Sequence, residues 1–107
     1  MARELRRGGI YLLDVPSSDT QRPVLVLSRA SLIGLLSTVA VAPIIATQRG
    51  SPTEVDLGID EGLEDTACVN LCNIFTVRKN QLRNLVGSVS AAKMREVGKA
   101  LRIACGV

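Results

Sequence analysis

The stretch QRPVLVLSR (21–29) sets Arg22 against Pro23 at the start of a run of Val and Leu. A guanidinium presents a planar fork of donors, stays charged at any working pH and can hold two phosphate oxygens at once. Pro23 restricts the backbone beside it and so helps aim that fork. Taken alone, the same arginine could be solvated at a strand end or paired with Asp14 or Asp19, and the stretch leaves both readings open. The rest of the composition narrows the chemistry. The chain has no histidine, which excludes Ser-His and Cys-His nucleophile pairs and any two-histidine cleavage of RNA. Three cysteines, Cys68, Cys72 and Cys105, have no metal-ligand spacing and no histidine to complete a zinc site. They read as buried free thiols. A reaction here must use Arg, Lys, carboxylates, hydroxyls or backbone groups, and no metal or other cofactor is expected.

The elements that would position Arg22 are mostly strands. GIYLLDV (9–15) follows a Gly-Gly pair and is rich in strand formers. PSSDTQR is a polar loop, and PVLVLS (23–28) is a nearly continuous apolar strand that Pro23 can open. RASLIGLL predicts one or two helical turns with Ser28 as cap. TVAVAPIIAT (38–47) returns to strand and QRGSP turns. TEVDLG (53–58) alternates as a half-solvated strand does, and IDEGLEDT is a charged loop. ACVNLCNIFTV (67–77) alternates again, with Cys68, Asn70, Cys72 and Ile74 on one side and Val69, Leu71, Asn73 and Phe75 on the other. LRNLVGSVS offers a short strand ending near Val89. The last segment is the clearest helix: Ser90 caps it, Met94, Val97, Leu101 and Cys105 share a face, and Gly106 stops it. Five or six short strands and a capping helix predict a mainly β fold, a small, strongly bent sheet or partly open barrel.

The 107 residues suffice for a single domain with one modest core, built from Val, Leu, Ile and Ala because Trp is absent and Phe and Tyr occur once each. LIGLLSTVAVAPIIA (32–46), the longest apolar stretch, is too short for a membrane span and contains Pro43. The N-terminus lacks the apolar core of a secretory signal, so a cytoplasmic location is expected. Charge is segregated. Residues 1–50 carry six basic and three acidic side chains, residues 51–77 six acidic and none basic, and residues 78–107 seven basic and only Glu96. That distribution permits a basic face for a polyanion, and surface solvation alone also produces it.

Read in order, RRGGIYLLDV (6–15), QRPVLVLSR, VAPIIATQRGSPTEV (41–55), GLEDTACVNLCNIFTVRKNQL (62–82) and GSVSAAKMREVGKALRIACG (87–106) resemble successive segments of the MazF/PemK toxin endoribonucleases of type II toxin–antitoxin systems. The resemblance spans nearly the whole chain, residues 1–107 as a single toxin domain. It implies a small SH3-like barrel of the MazF/PemK/CcdB kind, a homodimer, no membrane association, and sequence-selective, metal-independent cleavage of single-stranded RNA (mRNA, with tRNA and rRNA as further candidates). It also implies a cognate antitoxin protein that blocks the RNA groove. Such cleavage proceeds by 2′-OH attack on the scissile phosphorus and leaves a 2′,3′-cyclic phosphate and a 5′-OH.

The resemblance matches Arg22 to the family's catalytic arginine. It also implies a catalytic hydroxyl directly after Ala-Pro-Ile, where this chain has Ile45. Thr47, two residues on and on the same side of a regular strand, is the expected surrogate; a turn threonine bonding nearby backbone is the alternative. Asp19 is a candidate proton acceptor or simply a solvated loop residue. Asn73 aligns with an amide that contacts RNA, and Arg49 with a basic residue before the turn glycine, so both are candidate RNA-binding residues. Phe75 stands where the family has arginine. A lone Phe in an alternating strand belongs to the core, with base stacking as the alternative. The basic terminal helix is expected to pack on the sheet with a solvated outer face. The competing functional reading is a catalytically weak member, disabled by Ile45, that binds RNA, an antitoxin or a protein target in the manner of gyrase poisons.

Overall fold

A computed structural model of the chain describes residues 5–15, 20–46 and 48–107. Among them seven antiparallel strands form one sheet: β1 (Gly9–Asp14), β2 (Gln21–Val26), β3 (Thr38–Ile45), β4 (Glu54–Leu57), β5 (Ala67–Asn70), β6 (Phe75–Arg78) and β7 (Leu82–Ser88). The strand order is β4-β5-β3-β2-β1-β7, with β6 also pairing β3. A short α1 (Ala30–Ile33) links β2 to β3, and α2 (Ala91–Cys105) closes the chain. The result is the expected mainly β architecture, a bent half-barrel capped by the C-terminal helix.

The sheet has a core on each face, which is why residues 23–27 read as a continuous apolar run. On one face Ile10, Leu25, Ala42, Ile44, Val55, Val69 and Leu71 meet Val97 and Ala100 of α2. Tyr11, Leu13, Val24, Val26, Val39, Val41 and Val77 form the second core on the other face, with Ile33 and Leu82. Burying Val97 completely contributes roughly 1.5–3 kcal/mol, so packing, rather than the glycine-weakened helix itself, holds α2 in place. Ser90 caps it as expected, its Oγ accepting from the Lys93 amide at 3.1 Å.

β3 changes neighbours along its length. Thr38–Val41 pair with β6 and Ile44–Ile45 with β5, so Ala42 and Pro43 fall at the hand-over on that edge. A residue without an N–H is tolerated at such a break and not in the middle of a continuous ladder. Gly87 in β7 is required by close approach: a Cβ there would lie 1.9 Å from the Glu61 carbonyl oxygen.

Four expectations from the sequence need correction. Ser28 does not cap α1, since its Oγ accepts from the Ala40 amide at 2.8 Å and the cap position is Arg29. Residues 67–77 do not form one strand. The Asn70 side chain accepts the Cys72 amide at 3.0 Å and the Asn73 amide bonds back to the Asn70 carbonyl, the self-contained turn that Asn favours. Phe75 starts a new strand beyond that turn and is 37 % exposed, so it is not a core residue. Of the cysteines only Cys68 is buried. Cys72 lies in the turn, and Cys105 sits exposed in the last turn of α2, where Ala104 packs instead.

Candidate active site

Arg22 lies inside β2, opposite Leu13 of β1, and is exposed. Residues paired directly across an antiparallel ladder share a face, and the side-chain period is two. Arg22 therefore shares the face of Leu13, Tyr11, Val24 and Val26, and sits where that second core runs out to solvent. Strand alternation also explains why the alternative pairing with Asp14 does not form. Asp14 is opposite Gln21, on the other face, and its Oδ2 takes an Arg83 guanidinium nitrogen at 3.1 Å. Asp19 lies outside the described residues. Among the described residues no side chain bonds to the Arg22 guanidinium, which leaves its fork open to an exogenous anion.

The β2–β3 register pairs Val24 with Pro43 and Val26 with Val41. The ladder ends at Val24 and Pro43, and Arg22 and Ile45 each stand two residues beyond that last pair, so by alternation both lie on its face. Ile45 is half-buried and pairs with Cys68 of β5, which in turn pairs with Asp56 of β4. Ile45, Cys68 and Asp56 thus form one row across β3, β5 and β4, on the face that also carries Arg22. The position expected to carry a hydroxyl shares the arginine's face of the sheet and holds an apolar side chain. Thr47, the expected surrogate, lies outside the described residues.

Cys68 does not replace the missing hydroxyl. Burial pushes its thiol above the ordinary range, and the charges of Glu54 and Asp56 push it further. The reactive form is the thiolate, so a thiol held protonated is inert. Asp56 is exposed, two strands away from Ile45, and accepts from the Gln48 amide at 2.6 Å.

Arg49 and Asn73 occupy adjoining turns. The Arg49 amide donates to both Glu54 carboxylate oxygens, at 3.0 and 3.3 Å, which fixes its backbone while the side chain stays exposed. Asn73 is exposed in the β5–β6 turn. The two turns are tied together through Asn70: its Oδ1 accepts from Thr53 Oγ1 at 3.2 Å, and the Leu71 amide donates to the Thr53 carbonyl at 2.9 Å. Sequence reasoning placed Asn70 on a strand and missed this pinning role. The Asn two residues before Cys72, at the end of an apolar segment, is the turn signal that could have revealed it. Asn70 falls beside Pro43 when the β3–β5 register is extended by one residue, so the turns border the Arg22 surface about two strand spacings, roughly 10 Å, away. Phe75, opposite Val41, stands on that same face.

Residues 6–105 match the family of PemK-like, MazF-like toxins of type II toxin-antitoxin systems. A probable endoribonuclease MazF2 of Mycobacterium tuberculosis is 32% identical over 103 residues, covering 95% of this chain and 99% of the relative. Among solved structures, an endoribonuclease in complex with its cognate antitoxin, from a mycobacterial species, superimposes with a TM-score of 0.87 at 30% identity, covering 97% of each chain. The Mycobacterium tuberculosis toxin MazF-mt6 gives a TM-score of 0.84 at 30% identity over 92% of this chain and 97% of its own. Relatives named endoribonucleases along nearly the whole length support endoribonuclease activity for this chain. The fold, the collinear match and these relatives agree, and the chain belongs to the PemK-like, MazF-like toxins of type II toxin–antitoxin systems.

Proposed function

We propose that this chain is a sequence-selective endoribonuclease toxin that cleaves single-stranded RNA without a metal and is silenced by a cognate antitoxin. The observation that carries the reading is the exposed Arg22 guanidinium, bonded to no side chain among the described residues and standing on the surface shared with Ile45. In the proposed reaction the 2′-OH attacks the adjacent phosphorus and the 5′ oxygen leaves. The P–O5′ bond breaks, a 2′,3′-cyclic phosphate remains, and the 5′ oxygen departs as a hydroxyl. The charge that grows on the non-bridging oxygens is met by the Arg22 fork, a task that a metal ion would otherwise perform. Thr47 is assigned the hydroxyl role that Ile45 cannot fill. Arg49 and Asn73, on turns pinned by Asn70, are assigned to the RNA backbone and to a base edge. The proposal extends to a single toxin domain acting as a homodimer in the cytoplasm. No helix of the described residues is long and apolar enough to cross a membrane.

A second reading has one observation of its own. The half-buried Ile45, on the face of Arg22, offers no proton donor or acceptor, which fits a weak or inactive member that binds RNA, its antitoxin or another protein. One experiment separates the two. Purified protein is incubated with sequence-diverse single-stranded RNAs in excess EDTA and the fragment ends are mapped. The nuclease reading expects discrete cuts with cyclic-phosphate and 5′-OH ends, and resistance of the same sites when made as DNA. Binding without cuts supports the second reading.

A further inference from the structure

The helix that caps the sheet carries a feature the cleavage chemistry does not use. Arg95, Lys99 and Arg102 stand at i, i+4 and i+7 on α2, along one stripe about 10 Å long. Arg7, from the turn preceding β1, faces them across a groove of about 510 Å³. Among the described residues none of these four side chains has an ion pair or hydrogen bond. The two ion pairs found, Arg83–Asp14 and Lys93–Glu96, lie outside the lining. Four converging cations without a carboxylate among them repel one another, and an anion that bridges them relieves the cost.

Beside the four cations the groove is lined by Ala91, Met94 and Gly98. Met94 is half-buried and packed on the core, and a Cβ at Gly98 would meet nothing within 4 Å. The exposed large apolar residue of α2, Ile103, is not in the lining. All of its polar side chains are cations, and three of them are arginines. A chain of phosphates needs only spaced cations, preferably arginines.

We propose that this groove is a second RNA site, which holds the phosphodiester backbone of RNA flanking the cleaved sequence. The inference rests on RNA being the substrate. The groove cannot serve the cleaved nucleotides themselves. α2 packs on the face of Ile10, Leu25 and Ile44, whereas Arg22 stands on the opposite face. The Gly8 amide beside Arg7 bonds Val26, about 13 Å along β2 from Arg22. Only an RNA that wraps past the edge of the sheet reaches both places, so the site selects for length and for flanking structure.

The test uses the whole protein and 2′-O-methyl RNA, which has no attacking hydroxyl and survives the titration. Affinity is measured against salt for a short RNA spanning the cleaved sequence and for a longer one with flanks. For single strands each neutralised phosphate adds roughly 0.7 to the slope of log affinity against log salt. Four cations therefore make the long-RNA slope steeper than the short-RNA slope by roughly 3. Substituting Lys99→Gln with Arg102→Gln removes roughly half of that excess; glutamine preserves helix propensity, and Arg7→Gln provides an independent variant off the helix. Equal slopes for the two RNAs, or an excess unchanged in both variants, overturns the proposal. So does displacement of the long RNA's extra affinity by polyglutamate at equal charge, which would make this an acidic-protein site. Cleavage of unmodified short RNA by the same preparation is scored separately, so failure of the nuclease reading and failure of the groove are told apart.

Discussion

Arg22→Ala separates catalysis from stability more sharply than any other single change. The side chain is exposed and bonds to no described side chain, so folding loses almost nothing by its removal. Surface changes of this kind stay within about 0.5 kcal/mol, which for a domain of this size moves Tm by about 2–4 °C at most. The chemistry tells the opposite story. A donor aimed at a developing phosphoryl charge is worth about 10²–10³ in rate, roughly 2.7–4 kcal/mol of transition-state stabilisation. Arg22→Lys keeps the charge and loses the planar fork, so it should fall between wild type and Arg22→Ala. Single-turnover cleavage of an RNA with one mapped site gives the rate, and thermal melts of the same preparations give the stability. Near-wild-type cleavage by Arg22→Ala would refute the assignment. A collapse of both activity and Tm would refute the geometry, because it would show that Arg22 is a structural residue. Equal losses in the alanine and lysine variants would show that the fork, rather than the charge, accounts for the whole effect.

Three further outcomes are expected. Ile45→Thr should raise the cleavage rate in the same assay if position 45 is the one that lacks a hydroxyl, while Thr47→Ala should lower it in the wild-type background; full activity in Thr47→Ala would reject Thr47 as the surrogate. Gly87→Ala drives a Cβ to 1.9 Å from the Glu61 carbonyl oxygen, where only backbone can move. It should cost about 3 kcal/mol or more, a fall in Tm of roughly 12 °C or more; a small shift would mean that the two segments separate freely. For the thiols, Cys72 and Cys105 should react at once with a maleimide and Cys68 only after unfolding. Because its folded value is raised, Cys68 contributes stability that is complete below the ordinary thiol range and lost as pH rises through the raised value. Urea midpoints should therefore fall from neutral to alkaline pH, with a smaller fall in Cys68→Ala.

What the residues disclosed, and what they concealed, follows from how far each signal reaches. Local patterns were legible: the Ser90 cap, the Gly106 stop, the apolar stripe of α2, and strands whose alternation matches one buried face. The continuous run at 23–27 was legible as a doubly covered strand, because a core on each side demands it. The break at Asn70 was hidden because apolar residues, Leu71 and Ile74, continue beyond it while the backbone reverses. An unbroken strand count therefore runs on to Phe75, which stands outward in the fold. The bond that decides the matter joins Asn70 to Cys72 only two residues on, yet nothing in the alternation weighs it. The cysteines misled for a related reason: burial belongs to a place in the fold, and a turn or a helix end denies it whatever the residue type prefers.

Arg22 shows the same limit from the other direction. Its type and its neighbour Pro23 were enough to suggest an anion, but the rival readings named Asp14 and Asp19 as partners. Only the register separates Asp14 from Arg22, by assigning them to opposite faces of the sheet. That register also explains why an apolar residue is acceptable at 45. The surface on which Arg22 stands is continuous with a core, and the half-buried Ile45 follows Pro43 on that face and pairs with the buried Cys68. Replacing it by threonine exchanges a half-buried ethyl group for a hydroxyl and should cost about 1 kcal/mol, the size typical of single substitutions. If Ile45→Thr both speeds cleavage and lowers the urea midpoint, the two effects have one cause, a position shared between the core and the chemistry.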